Sequence, residues 1–505
     1  MKGKNIFLEI ISDRTSIFLL ILSTFLCLFT IQTGINFLAL SLFVSGICGI
    51  FLIVSTFLVE IKILRILASS TLNGYAIGAL NTYIFANEYW QKSLSEYTLE
   101  DIGNAVVALN IYCTVLIILS NISKLDTLVI KSLQFKIRSA HKSTYIYLTY
   151  LGLFISTIQI YLIVSGQAIF NAASSITKST ENNSNLTNFD IYLSVGYFLC
   201  NLAPFLIGIL MGWSSSKQNI YAVKNYPLYF MCFSCFLWLL IAGRRDILFG
   251  AISVFIGFII SNCNYKSIIS RQFLSIKKVC VISLVILLVW FGFNFFAYLR
   301  FYSYTYYKTV DTTLISYLLD AFSSYLDILT DPSKQEKLKI FNELVEQNLS
   351  TRTFVFGFLV TSVHVVTRIG ALMGQDFISN LLVSSPSNFF IDKTTVIAGE
   401  NLYNYFYNLS LPDIANSYIT SAFLDFSWIG LLIYPLVIYL IYNFLTKITI
   451  DSNLILLYIT LISSLLQNSL NGAESTTITF FVNCRQFLLF YLITYLSKVL
   501  FFKTK

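Results

Sequence analysis

The chain has 505 residues, of which 56% are hydrophobic and only 11% charged, with a formal net charge of +8 and a mean hydropathy of +0.74. A soluble globular protein is about 25% charged, so this composition excludes an ordinary soluble fold and points to a chain that lives largely in lipid. The positive balance is not a nucleic-acid signature, because lysine and arginine in a membrane chain report topology first.

Residues 1–14 are polar and basic, but no small-residue cleavage site follows and a second apolar stretch comes almost at once, so this end is not read as a cleavable signal. Apolar blocks long enough to cross a ~30 Å hydrocarbon core recur near 15–31, 36–58, 66–86, 102–120, 144–165, 190–212, 226–242, 247–262, 279–299, 419–445, 453–470 and 477–498. They predict an all-α polytopic membrane protein with about twelve transmembrane helices. A β-barrel would show alternating segments of ~10 residues instead. The chain then divides into an N-terminal membrane bundle (1–299), one long segment that is not a membrane span (300–418) and a C-terminal group of membrane helices (419–505).

The nine cysteines lie in or at the ends of apolar spans, which gives no disulfide framework. Cys232 and Cys235 form a CxxC inside YFMCFSCFLWLL and read as small apolar filling rather than redox or metal chemistry. With the N-terminus placed in the cytoplasm, most of the 33 lysines and arginines fall in loops on the cytoplasmic side. The short connections on the other side hold only Lys92, Lys178, Arg244 and Arg245, with Arg485 just inside a span. By the positive-inside rule both termini are cytoplasmic and the long segment faces outward.

Within that segment, 334–347 (KQEKLKIFNELVEQ) reads as a water-exposed helix, with Leu338, Phe341 and Val345 as its apolar stripe. The run 353–373 is nearly long enough to span. Its polar and small residues Thr353, Gly357, Thr361, His364, Arg368, Ala371 and Gln375 recur at helical spacing. Phe354, Phe358, Val365, Ile369 and Leu372 fall largely away from them, so the run is read as an amphipathic helix lying in the interface or dipping into the bundle.

Charges at the outer membrane edge break the topological bias and need a reason. Arg244 and Arg245 are adjacent in a very short outward turn. A solvated turn with an Arg245–Asp246 pair accounts for them, and so does an anion site, because guanidinium forks suit phosphate oxygens. Arg300, Arg352, Arg368 and Arg485 extend the set into a candidate cationic pocket, although a single one of them is also explained as a snorkelling anchor. His364 is the one outward histidine, a turn before Arg368 on the same face, and Glu400, Asp413, Asp425 and Glu474 are outward carboxylates that compete with it as a general base. Tyrosines and phenylalanines crowd both ends of the segment, as an interfacial belt or a sugar-stacking surface. The sequence carries no P-loop, HExxH, GxSxG or EF-hand, and one outward histidine without an outward cysteine gives no metal site.

Pro412-Asp413-Ile414-Ala415-Asn416-Ser417-Tyr418, followed by Leu424-Asp425-Phe426-Ser427-Trp428-Ile429-Gly430 leading into a span, resembles the end of the large periplasmic loop in bacterial O-antigen polymerases (Wzy) and related polysaccharide polymerases, where an "ANS…DFGxxG" pattern opens the next helix. Ser427 stands where the pattern has its first glycine. Gly243-Arg244-Arg245 resembles the Gly-Arg element that such proteins carry earlier in the chain. The resemblance implies a GT-C-like fold in the bacterial inner membrane. It also implies a metal- and cofactor-independent glycosyltransferase that joins undecaprenyl-pyrophosphate-linked oligosaccharides as donor and acceptor, with membrane lipid and a Wzz-type chain-length regulator as partners. Arg244, Arg245, Arg300 and Arg368 then face the leaving pyrophosphate, and His364, Glu400 or Asp413 serves the acceptor hydroxyl. Arg352, Glu400, Asn416, Ser417, Asp425 and Arg485 line the substrate. The related ligases show His-Asn where this chain has Ala415-Asn416, which favours polymerase over ligase. A flippase or transporter of the same glycolipid is the other alternative, disfavoured because no internal repeat is visible, the spans are nearly free of charge and the polar residues gather on one side.

Overall fold

The structure is a computed structural model that describes residues 2–33, 35–58, 61–85, 87–122, 125–164, 188–216, 226–242, 244–262, 295, 298, 314–330, 355–385, 395–409, 416–474 and 476–502. All regular secondary structure among these residues is helical. Among the described residues seven helices are long and apolar enough to cross a membrane, and four shorter apolar helices accompany them. Each expected span coincides with a helix except the one near 279–299, which lies almost wholly outside the described residues, as does the 334–347 helix.

The chain folds as two compact units, residues 1–132 with 349–505, and residues 133–348. The N-terminal helices thus share a unit with the C-terminal ones and with the second part of the long segment.

In the first unit, α1 (Lys2–Thr33) packs on α2 (Ile35–Leu58). Lipid supplies no hydrophobic drive between apolar helices, so small residues and interhelical hydrogen bonds join them. Ser23 Oγ meets Ser45 Oγ at 2.7 Å and donates to the Ser41 carbonyl at 2.9 Å. Asn110, on α6 (Leu99–Ile122), ties in by donating to Ser23 Oγ at 2.9 Å and accepting from Ser45 Oγ at 2.8 Å. The next span is built from α3 (Ile63–Leu72), a π-helical turn (Asn73–Ile77) and α4 (Gly78–Phe85). Two cations that the charge pattern assigns to a cytoplasmic loop are buried here. Arg65 pairs with Asp13 at 2.8 Å, and Lys62 donates to Asn121 Oδ1 at 3.1 Å. A short α5 (Asn87–Leu94) precedes α6, and α7 (Leu125–Ser139) carries the boundary between the units.

The second unit comprises α8 (Lys142–Val164), α9 (Asn188–Ser216), α10 (Tyr226–Ala242), α11 (Arg244–Ser261) and α12 (Leu314–Thr330). Its tightest contact joins α9 to α11. Gly208 and Gly212, spaced as GxxxG, let the backbones touch, because a Cβ at Gly208 would lie 2.1 Å from the Val254 carbonyl oxygen.

Returning to the first unit, α13 (Val355–Ile369) is described over 15 residues, ~22 Å at 1.5 Å per residue, which is shorter than a ~30 Å hydrocarbon core. It does not lie on a surface either. Its residues on both faces are buried from Val355 to Phe356 and from Phe358 to Val363, and only the last turn is exposed. The polar stripe read from the sequence is turned toward the start of α6, where Tyr97 meets Thr361 at 2.8 Å. After it come α14 (Gln375–Val383), α15 (Glu400–Tyr407), α16 (Tyr418–Ser452), α17 (Ile455–Leu470) and α18 (Thr477–Phe502).

Candidate functional site

Two polar constellations in the first unit stand out. The first is built on α16, whose run of helical backbone breaks at Phe426 (φ −133°, ψ 15°) and Ser427 (φ 53°, ψ −140°). Ser427 occupies a region of backbone space essentially reserved for glycine. Gly430 is equally constrained, since a Cβ there would lie 1.8 Å from the Ala422 carbonyl oxygen. The two positions at which the DFGxxG pattern has glycine are therefore the two at which this backbone wants one. Ser427→Gly is expected to stabilise the chain by about 1 kcal/mol by relieving the positive φ, and Gly430→Ala to destabilise it by about 1–3 kcal/mol. Thermal unfolding of the two purified variants in detergent checks both signs.

The break frees the Leu424 carbonyl, which accepts from the Leu372 N–H at 2.9 Å, so the turn after α13 docks on it. Asp425 then reaches the start of α14. Its Oδ1 accepts from the Asp376 N–H at 3.0 Å, and its Oδ2 accepts from the Phe377 N–H at 3.0 Å and the Tyr434 hydroxyl at 2.8 Å. The carboxylate thus caps a helix N-terminus, satisfying orphan amides and facing the positive end of the helix dipole. At the other end of α14, Arg485 donates to the carbonyls of Ser384 (2.7 Å) and Ser385 (3.2 Å), the arrangement the dipole favours for a cation. Asp425 and Arg485, both expected to line the substrate, are the clamps of α14.

Beneath this lies a buried hydroxyl–amide network. Tyr75, in the π-helical turn, meets Ser417 Oγ at 2.6 Å. Thr420 Oγ1 accepts from the Ser417 N–H at 2.8 Å and donates to Asn416 Oδ1 at 2.8 Å. The Asn416 amide donates to the Tyr403 hydroxyl at 3.1 Å, and Tyr403 meets Ser421 at 3.1 Å. Asn416 and Ser417, expected at the site, are thus brought together with Asp425 in one buried cluster. Burial pushes the Tyr403 hydroxyl far above its ordinary pKa, with the Asp376 charge adding to the rise.

The second constellation is a His–Asp pair. His364 Nδ1 lies 2.9 Å from Asp101 Oδ2. Asp101 is itself fixed by a capping box at the start of α6, accepting from the Thr98 N–H (3.1 Å) and hydroxyl (2.9 Å) while its own N–H donates to Thr98 Oγ1 (3.1 Å). A carboxylate acceptor at Nδ1 places the proton there and leaves Nε2 as the basic nitrogen of a neutral ring. Tyr97 packs edge-on against the imidazole at 5.1 Å. The side chain keeps 16% of its surface open. Arg368, one turn on, is exposed and meets no carboxylate among the described residues.

Glu400 opens α15 and is half-buried. Arg244 and Arg245 open α11 in the second unit. Arg300, Arg352 and Asp413 lie outside the described residues. Sequence reading missed Asp101, Asp376 and Asn380, and read Tyr403 only as part of an aromatic belt or sugar-stacking surface. The Thr98-x-x-Asp101 spacing was a signal for the first, whereas the others carry none without knowledge of their long-range partners. No group of three or more His, Cys, Asp or Glu side chains that could hold a metal is found among the described residues. No protein-family model, curated protein or solved structure matches the chain.

Proposed function

We propose that the chain is an O-antigen-type polysaccharide polymerase of the bacterial inner membrane. It joins undecaprenyl-pyrophosphate-linked oligosaccharide repeat units at the periplasmic face, with both termini in the cytoplasm and the long segment outside. The observation that carries this reading is the geometry of 416–430. The Asn-Ser pair, the aspartate and the two glycine-demanding positions of the family pattern form one folded element, and the backbone supplies a reason for each.

The His364–Asp101 pair supplies the chemistry. In glycosyl transfer the acceptor oxygen forms a bond to the donor's anomeric carbon as the bond from that carbon to the pyrophosphate oxygen breaks. The acceptor proton passes to Nε2 of His364. Asp101 holds the ring in the competent tautomer and stabilises the imidazolium that forms, as a carboxylate does behind a catalytic histidine. Arg368 on the same face meets the charge that develops on the departing undecaprenyl pyrophosphate, the role that the resemblance also gives Arg244, Arg245 and Arg300.

Membranes of cells that depend on Arg244→Ala or Arg300→Ala variants are expected to carry single repeat units in place of polymer, read from the banding of extracted glycolipid. Polymer of normal length in both, at wild-type expression, would remove the arginines from the pyrophosphate site.

A further inference from the structure

The Asp376 carboxylate is completely buried, yet neither of its oxygens accepts a hydrogen bond, and no lysine or arginine pairs with it among the described residues. One turn later on the same face of α14, Asn380 is equally buried and both atoms of its amide lack a partner. The Asp376 oxygens are therefore buried beside neutral groups only, the Tyr403 and Ser421 hydroxyls and the Asn380 amide, with no positive charge among the described residues to balance them. The Tyr403 and Ser421 hydroxyls stand beside Asp376. Tyr403 also accepts from Asn416 and meets Ser421, and neither hydroxyl brings a charge. Asp425 does not compensate the charge. Its oxygens are taken by the α14 N-terminus and Tyr434, and its own charge repels that of Asp376. A buried carboxylate in this state costs several kcal/mol unless a positive partner reaches it.

We propose that Asp376 and Asn380, with the hydroxyls of Tyr403 and Ser421, bind a small monovalent cation of the sodium type. The donor set is all oxygen, which selects a hard cation. One uncompensated carboxylate among neutral oxygens matches a single positive charge, whereas calcium-type sites gather several carboxylates. The site would neutralise Asp376 and tie α14 to α15 and α16, the elements that carry Tyr403 and Ser421. It does not rest on the polymerase reading, because it is defined by burial and unpaired atoms alone.

The test is thermal unfolding of the purified full chain in detergent at pH 8, with NaCl exchanged for choline chloride at constant ionic strength. The wild type is expected to gain several degrees in Tm with sodium, saturably, and nothing with choline. Asp376→Asn should melt higher than wild type in choline and no longer respond to sodium. Asn380→Ala should raise the half-saturating sodium concentration at least tenfold. Equal Tm of the wild type in sodium and choline overturns the proposal, as does an undiminished sodium response in Asp376→Asn.

A proton is the competing occupant. Burial and the Asp425 charge push the Asp376 carboxyl up to about 7, so without sodium the folded chain holds its proton more tightly than the unfolded chain and stability falls as pH rises from about 4 to about 7. That pH response in choline with no sodium effect at pH 8 means that a proton suffices, and overturns the cation. If Asp376→Asn fails to fold, retention of radioactive sodium by the wild type decides: near-equimolar retention supports the site and none overturns it.

Discussion

His364→Ala is expected to lower the rate of repeat-unit polymerisation by about 10²–10⁴-fold, the usual range for removal of a positioned general base. Asp101→Asn should lower it less, and it should act on kcat rather than KM. Asp101 meets the imidazole, so under the proposed mechanism its loss should disturb the tautomer and the charged intermediate rather than substrate binding. Positioning is separated from mere folding support by a fall in kcat at unchanged KM and an unchanged melting temperature. The double variant is expected to be no slower than His364→Ala alone, because groups that act as a unit are not additive. Rates measured on purified protein with a lipid-linked repeat unit check all of these. Full activity in His364→Ala would leave the pair as a packing device between α6 and α13.

Asp425→Ala should destabilise the first unit by about 3 kcal/mol or more. Its removal leaves three buried donors, the Asp376 and Phe377 amides and the Tyr434 hydroxyl, without an acceptor, each at a cost of about 1–3 kcal/mol. The charge facing the α14 N-terminus is lost as well, about 0.3–1 kcal/mol more. Asp425→Asn does not rescue the site, because one of its two polar atoms is then a donor pointed at a donor. Arg485→Ala removes two carbonyl contacts at the opposite end of α14 and is expected to cost about 1 kcal/mol. Thermal unfolding in detergent gives the magnitudes. Hydrogen exchange gives the location, since the amides of Asp376 and Phe377 should exchange faster in Asp425→Ala while those of α6 do not.

How much of this was legible beforehand depends on the range of the interaction. Long apolar blocks appear as helices because hydropathy over ~20 residues is a local property. The spacing of Thr361, His364 and Arg368 was a true helical stripe. What it faced was not legible, since Tyr97 and Asp101 lie more than 260 residues away in the chain. The Asp425-to-Gly430 pattern was visible as letters, and the structure adds the reason, a backbone break at Ser427 and a close approach at Gly430. Asp376 and Asn380 sat unnoticed in a short helix because their meaning lies in the partners they lack. Arg65 and Lys62 show the converse. Counted as loop charges, they are buried against Asp13 and Asn121.

The polymerase account is tested most directly by reconstituting the purified chain in liposomes with an undecaprenyl-pyrophosphate-linked oligosaccharide repeat unit and separating the products by size. The account predicts a ladder of products that differ by one repeat unit, undecaprenyl pyrophosphate released in step with each new bond, and loss of both in His364→Ala. Movement of the intact glycolipid across the bilayer with no product longer than one repeat would contradict it and make the chain a carrier.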